Sequence, residues 1–117
     1  MRIKHVAEKG KGVFAPKRYA EGELILRHEI LAAPDDEAEK LQRTFLDNYM
    51  FLINDIYFIA LGQGSLLNHS GDPNLYYTFR KRTQQIEFYS LRPIKKGEEL
   101  TIDYEWDSYP WEEAAKA

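Results

Sequence analysis

The sequence predicts a mostly β domain of the α+β kind, carrying one modest helix. Three observations support this. Short runs rich in Ile, Leu, Tyr and Phe recur along the chain, bounded by Gly, Pro, Asn and Asp turn signals. One segment alone shows apolar residues at helical spacing. The length, 117 residues, is near the usual size of one domain built on one core. Residues 1–117 therefore read as a single domain, with a core over about 3–104 and a tail over 105–117.

The elements follow in order. A turn at Glu21-Gly22 opens the apolar strand that begins Leu24-Ile25-Leu26. Pro34-Asp35-Asp36 then starts a segment in which Leu41, Phe45 and Leu46 recur at helical spacing, predicting a helix over 36–47. Asp35 or Asp36 suits its N-cap, and Glu37 places negative charge in its first turn. Asn54-Asp55 is a turn before the strand-like run Tyr57-Phe58-Ile59-Ala60-Leu61. A short helical turn fits 64–68. Runs over 75–79 and 86–91 form a hairpin whose tip carries Arg80-Lys81-Arg82. That basic run reads as a solvated tip, with a nuclear localisation signal or a phosphate contact as alternatives. Pro93 and the Lys95-Lys96-Gly97 turn precede a last strand, Leu100-Thr101-Ile102.

Composition excludes several function classes. The chain has no cysteine, so disulfides, thiolate zinc sites and cysteine nucleophiles are ruled out. Its three histidines, His5, His28 and His69, are scattered, and no metal centre is expected. Net charge is −3 with no basic stripe, so direct nucleic-acid binding is not expected. No apolar run approaches the ~20 residues of a membrane span. Met1-Arg2-Ile3-Lys4-His5 lacks the apolar stretch of a signal peptide. The expected location is cytoplasmic or nuclear.

Four places carry chemistry-bearing residues. Gly10-Lys11-Gly12 lets a backbone approach a ligand closely, although a tight hairpin turn explains it equally well. It is neither a Rossmann fingerprint nor a phosphate-binding loop. Asn68-His69-Ser70 reads as a glycosylation sequon, as a structural turn with Gly71-Asp72-Pro73-Asn74, or as part of a binding site. Tyr104 ends the last strand, where a tyrosine is ordinarily half-buried with a wet hydroxyl. Tyr49 follows the expected helix and by itself reads as a core aromatic.

Leu66-Leu67-Asn68-His69-Ser70-Gly71-Asp72-Pro73-Asn74, then Gly97-Glu98-Glu99-Leu100-Thr101-Ile102-Asp103-Tyr104, preceded by Gly10-Lys11-Gly12-Val13-Phe14-Ala15, resemble the motifs of a SET domain in family order. The resemblance covers about 3–104. It implies a β-clip fold of short twisted sheets with a pseudoknot, in which the two later motifs lie side by side. It implies a protein-lysine N-methyltransferase using S-adenosyl-L-methionine. Gly10, Lys11 and Gly12 would line the methionine end of that cofactor, with Val13 and Phe14 as strand residues behind them. Asn68 and His69 would contact its adenine region, chiefly through backbone, and Asn68 would also reach the methionine amine. Tyr104 would face the methyl-transfer point, as a catalytic and cofactor-binding residue. Tyr49 would form part of the lysine channel and share the catalytic role.

Larger members of that family close the lysine channel with a cysteine-rich zinc segment, which this chain lacks. It resembles the minimal members known from viruses and some bacteria. The tail aromatics Trp106, Tyr109 and Trp111 are expected to replace that wall or to cover the cofactor's adenine ring, with packing on the core as the plainer alternative. A second copy of the chain, in a homodimer, is another source. Asp103, Glu105, Asp107, Glu112 and Glu113 suit a basic lysine-containing protein or peptide, a histone tail or another basic protein. The rival reading is a non-catalytic SET-like peptide-binding or scaffold module.

Overall fold

The computed structural model describes residues 1–6 and 10–104. Along the chain these form β1 (Arg2–Val6), β2 (Gly10–Phe14), β3 (Leu24–Ala32), α1 (Asp35–Leu41), β4 (Met50–Ile53), β5 (Ile56–Ala60), β6 (Asn68–His69), β7 (Leu75–Arg80), β8 (Gln85–Ser90) and β9 (Glu99–Ile102). One sheet has the order β4-β5-β3-β8-β7, and the other β1-β2-β9-β6.

Local chemistry explains the hairpins of the larger sheet. β4 and β5 are closed by the pair Ile53↔Ile56, across Asn54 and Asp55, both with positive φ (51° and 64°). That is a primed two-residue turn, and Asn and Asp tolerate the left-handed region it demands. β7 and β8 pair from Leu75↔Ser90 to Arg80↔Gln85, so the basic tip sits where the sequence put it. Alternation sends Tyr77, Phe79, Ile86 and Phe88 into the core. Phe58 stacks on Phe79 and on Phe51, with ring centroids 5.1 and 5.5 Å apart. Burying a side chain of this size contributes roughly 1.5–3 kcal/mol.

The smaller sheet positions the chemistry. β9 lies between β2, antiparallel, and β6, parallel, with Asn68 opposite Thr101 and His69 opposite Ile102. Residues over thirty positions apart thereby become neighbours. Val13, Leu67, Leu100 and Ile102 carry the core from this sheet into the larger one.

Two expectations need correction. The helix expected over 36–47 stops at Leu41, and Phe45–Tyr49 forms a separate 3-10 turn. Thr44 makes the break: its hydroxyl donates to the Leu41 carbonyl at 2.7 Å and accepts from the Leu46 N–H at 3.3 Å. The helix buries no residue, and Phe45 is 73% exposed, so helical spacing here marks no core face. Neither Asp35 nor Asp36 caps it: Pro34 holds the N-cap place, and both aspartates lie in the first turn. The second correction concerns Gly10-Lys11-Gly12. It is not a tight turn but the start of β2, paired residue by residue with β1 from Val6↔Gly10.

Candidate active site

The site lies where β2, β6 and β9 meet. Its frame is a pair of adjacent glutamates, each holding one asparagine of the Asn-His-Ser stretch. Glu99 Oε2 accepts from Asn68 Nδ2 at 2.7 Å, and the same amide group donates to the Lys11 carbonyl at 3.0 Å. One side chain thus ties β6 to both β9 and β2. Glu98 Oε2 accepts from Asn74 Nδ2 at 2.9 Å. Asn74, 2% exposed, also donates to the Glu99 carbonyl at 2.7 Å and accepts from the Thr101 N–H at 2.8 Å. The hydrogen bond from Asn74 lowers the Glu98 carboxyl from its ordinary value, against the opposing effect of burial.

Gly12 is required by this frame. A Cβ there would lie 2.7 Å from Glu99 Oε2, 2.8 Å from Val6 Cγ2 and 3.1 Å from Asn68 Nδ2. The glycine makes room for the clamp itself. Gly10 has φ +81° with open space beside it, and it lines a cavity directly.

Tyr104 follows β9, and its hydroxyl donates to the Leu67 carbonyl. Its backbone N–H donates to His69 Nδ1 at 3.0 Å, and the two rings are 5.3 Å apart. His69 Nδ1 also lies 3.7 Å from Asp103 Oδ1. Burial raises the Tyr104 phenol above its ordinary value, with nearby Tyr49 and Glu99 adding to the effect, so it is a neutral hydroxyl near neutral pH.

Three cavities meet at Asn48, Tyr49 and Tyr104. One of about 290 Å³ adds Gly10, Lys11, Ser65, Leu66 and Asn68. Another, of about 330 Å³, adds Asn68 and His69. The third, about 370 Å³, is aromatic: Phe51, Tyr57 and Tyr77 line it, with Leu67 and Ile102. It holds one carboxylate, Asp47, which accepts the Tyr57 hydroxyl at 2.6 Å. Burial, then the Asp47 hydrogen bond and charge, raise the Tyr57 phenol. The hollows lined by Gly10, Lys11, Asn68 and His69 therefore share Asn48, Tyr49 and Tyr104 with the aromatic hollow.

The structure brings Gly10, Lys11, Tyr49, Asn68, His69 and Tyr104 around these joined cavities, whereas Gly12 lies beneath them. The expected wall residues Trp106, Tyr109 and Trp111 lie outside the described residues. The sequence reading missed Asp47, Tyr57, Phe51 and Tyr77 as lining residues. In sequence Asp47 looks like a helix end and Tyr57 like a strand residue, and no local signal distinguishes either. It also missed Asn74 and Glu99 as clamps, although both stand inside the motifs it singled out.

Comparison with known proteins defines the class. The family model described as SET domain matches residues 10–105. The chain belongs to the SET-domain family, and its strand-rich fold is that of the family; several of its relatives are named histone-lysine N-methyltransferases. Among relatives, it is 35% identical over 106 residues to the Schizosaccharomyces pombe histone-lysine N-methyltransferase, H3 lysine-37 specific, covering 89% of this chain and 72% of that protein. It is 28% identical over 120 residues to Drosophila melanogaster histone-lysine N-methyltransferase Set2, covering 92% of this chain but 5% of that much longer protein. The solved structure of CpSET8 from Cryptosporidium superposes with a TM-score of 0.72 at 29% identity, covering 91% of this chain and 57% of that one. A Plasmodium falciparum structure gives the same TM-score at 24% identity, covering 92% and 98%, and speaks to fold alone. Among the described residues, no helix is long and apolar enough to cross a membrane, and no group of His, Asp and Glu is placed to hold a metal ion.

Proposed function

We propose that this protein transfers a methyl group from S-adenosyl-L-methionine to a lysine side chain of a histone or another basic protein. The observation that carries the reading is that Tyr49 and Tyr104 line both the hollow edged by Gly10, Lys11 and Asn68 and the aromatic one. A two-substrate transfer needs two compartments that open onto one point.

The polar side suits the cofactor. It offers the Gly10–Lys11 backbone, the Lys11 side chain for a carboxylate, and Asn68 Oδ1 for an ammonium, since Asn68 Nδ2 is already committed to Lys11 and Glu99. The Glu99 carboxylate beside it favours bound positive charge. The cofactor supplies an electrophilic methyl group on a sulfonium centre.

The aromatic side suits a lysine stem. Tyr49, Phe51, Tyr57 and Tyr77 give it flat apolar walls, and Asp47 at this hollow attracts the cationic head. A free lysine has a pKa of about 10.4, so its neutral form at pH 7 lies roughly 4–5 kcal/mol uphill. Desolvation between aromatic walls lowers that penalty. The Tyr104 hydroxyl donates its hydrogen bond to the Leu67 carbonyl, which leaves its oxygen lone pairs to accept from the incoming amine. Positioning by Tyr104 thus replaces a strong general base, and the proton leaves through water.

Calorimetry tests the reading: the chain is expected to bind the cofactor or its demethylated product in the micromolar range, and Asn68→Ala to weaken that binding. No heat and no thermal shift at millimolar cofactor would instead favour the scaffold-module reading.

A further inference from the structure

We infer that His28 is a positioning residue of the transfer site, acting on Tyr104 through the main chain of the turn over 62–67. This inference rests on the methyl-transfer reading above. Neither the motifs nor the cavities include His28. It sits on β3 opposite Ile86, on the core face, with its ring 6.1 Å from Phe88. Its Nε2 accepts the Gly64 N–H at 3.0 Å. The turn lies directly on the imidazole. A Cβ on Gly62 would come within 2.3 Å of the His28 ring, and one on Gly64 within 2.9 Å of it and 2.6 Å of Phe88.

From there three hydrogen bonds, joined by the main chain at Gly64 and Leu67, lead to the reaction point. His28 Nε2 holds Gly64 N–H, the Gly64 carbonyl accepts the Leu67 N–H at 3.4 Å, and the Leu67 carbonyl accepts the Tyr104 hydroxyl. On the way, Ser65 lines both the aromatic and the glycine-edged cavity. Rotation or lift of this turn moves the acceptor that orients Tyr104. A misplacement of about 1 Å at a reacting group is enough for roughly a hundredfold loss of rate.

The link requires a neutral ring with its proton on Nδ1, because a protonated Nε2 would face the Gly64 donor as a second donor. Burial lowers the proton affinity of His28, opposed by its hydrogen bond to the Arg27 backbone. The surroundings leave it to titrate alone. On β3, Arg27 and Glu29 alternate to the opposite face, as do Glu87 and Tyr89 on β8, where Arg27 meets Glu87. β5 contributes Tyr57, turned to Asp47, and the turn over 62–67 carries no titratable side chain.

The test compares His28→Gln, whose side-chain oxygen replaces the Nε2 acceptor, with the apolar His28→Leu. In the free chain, Gly64 amide hydrogen exchange should lose protection in H28L, keep it in H28Q, and lose it in the native chain as pH falls through the His28 titration followed by NMR. With cofactor and lysine substrate, kcat should fall about tenfold to a hundredfold in H28L, recover to within about threefold in H28Q, and decline with the same pH inflection in the native chain. The inference is overturned if Gly64 stays protected in H28L, if H28Q is as slow as H28L, or if neither exchange nor kcat follows the His28 titration. The exchange arm needs no cofactor. A native chain that transfers no methyl group therefore removes the proposed activity, while exchange still decides whether His28 sets the turn.

Discussion

At the scale of single residues, the site depends on side chains that span motifs distant in sequence. Asn74 is the clearest case. It is buried and bonded at both ends of its amide, to Glu98, Glu99 and Thr101. Asn74→Ala leaves the Thr101 N–H and the Glu99 carbonyl without these partners, so a destabilisation of about 2–4 kcal/mol is expected. Urea denaturation with an unchanged m-value checks this, and a loss below about 1 kcal/mol would mean that solvent replaces the amide. Tyr104→Phe should keep the fold and most cofactor affinity while kcat falls by about one to three orders of magnitude, because the hydroxyl acts in the transition state. A parental rate would remove the hydroxyl from the mechanism. The sequence named Asn68 and Tyr104 because each sits in a motif. It could not show Glu99 as the clasp of Asn68, because a pairing across 31 positions exists only once β6 and β9 lie together.

At the scale of elements, the outer face of the larger sheet carries a buried charge. Glu87 is fully buried on β8, between Arg27 of β3 and Arg80 of β7, and it accepts from Tyr89 as well. Burial raises its carboxyl, but the hydrogen bonds from Arg80, Arg27 and Tyr89 together outweigh burial and hold it below its ordinary value. Because the folded value is depressed, the unfolded chain binds more protons in acid. The contribution of Glu87 is fully present above the ordinary value of 4.5 and is lost as pH falls through the folded one. The stability of Glu87→Gln should therefore fall less steeply in that acid range than that of the native chain, and parallel curves would refute the assignment. On the same face the Thr78 hydroxyl is buried with no hydrogen-bond partner among the described residues. Thr78→Val keeps the shape and removes that group, so a gain of about 1 kcal/mol is expected in thermal or urea unfolding. The β7–β8 hairpin was legible because two strand-like runs flank the polar 80–84 stretch; Asn54-Asp55 marked a turn, but the strand before it, β4, carried no signal that was read. The end of the helix was not legible, because Thr44 breaks it by a side-chain bond that apolar spacing does not reveal.

At the scale of the whole molecule, the two sheets divide the work. The larger one supplies the aromatic hollow and the His28 support, and the smaller one supplies the polar hollow and Tyr104. The three motifs marked three strands of the smaller sheet, β2, β6 and β9, whereas its fourth, β1, lies in none of them. The aromatic hollow was hidden because Phe51, Tyr57 and Tyr77 look like any strand aromatics until β4, β5 and β7 fold over Leu67. Trp106, Tyr109 and Trp111 remain our candidates for its outer wall. A chain ending at residue 105 is expected to keep its circular dichroism and lose transfer activity, and normal activity would place the wall elsewhere.

In the proposed mechanism a lysine amine meets the cofactor's methyl group at Tyr104. The most direct measurement of that step is incubation of the purified chain with methyl-labelled S-adenosylmethionine and basic proteins, followed by mass-spectrometric location of the label. Label is expected on lysine side chains, strongly reduced for Tyr104→Phe. Label absent from lysine with the native chain, or present at the native rate with the variant, would contradict it.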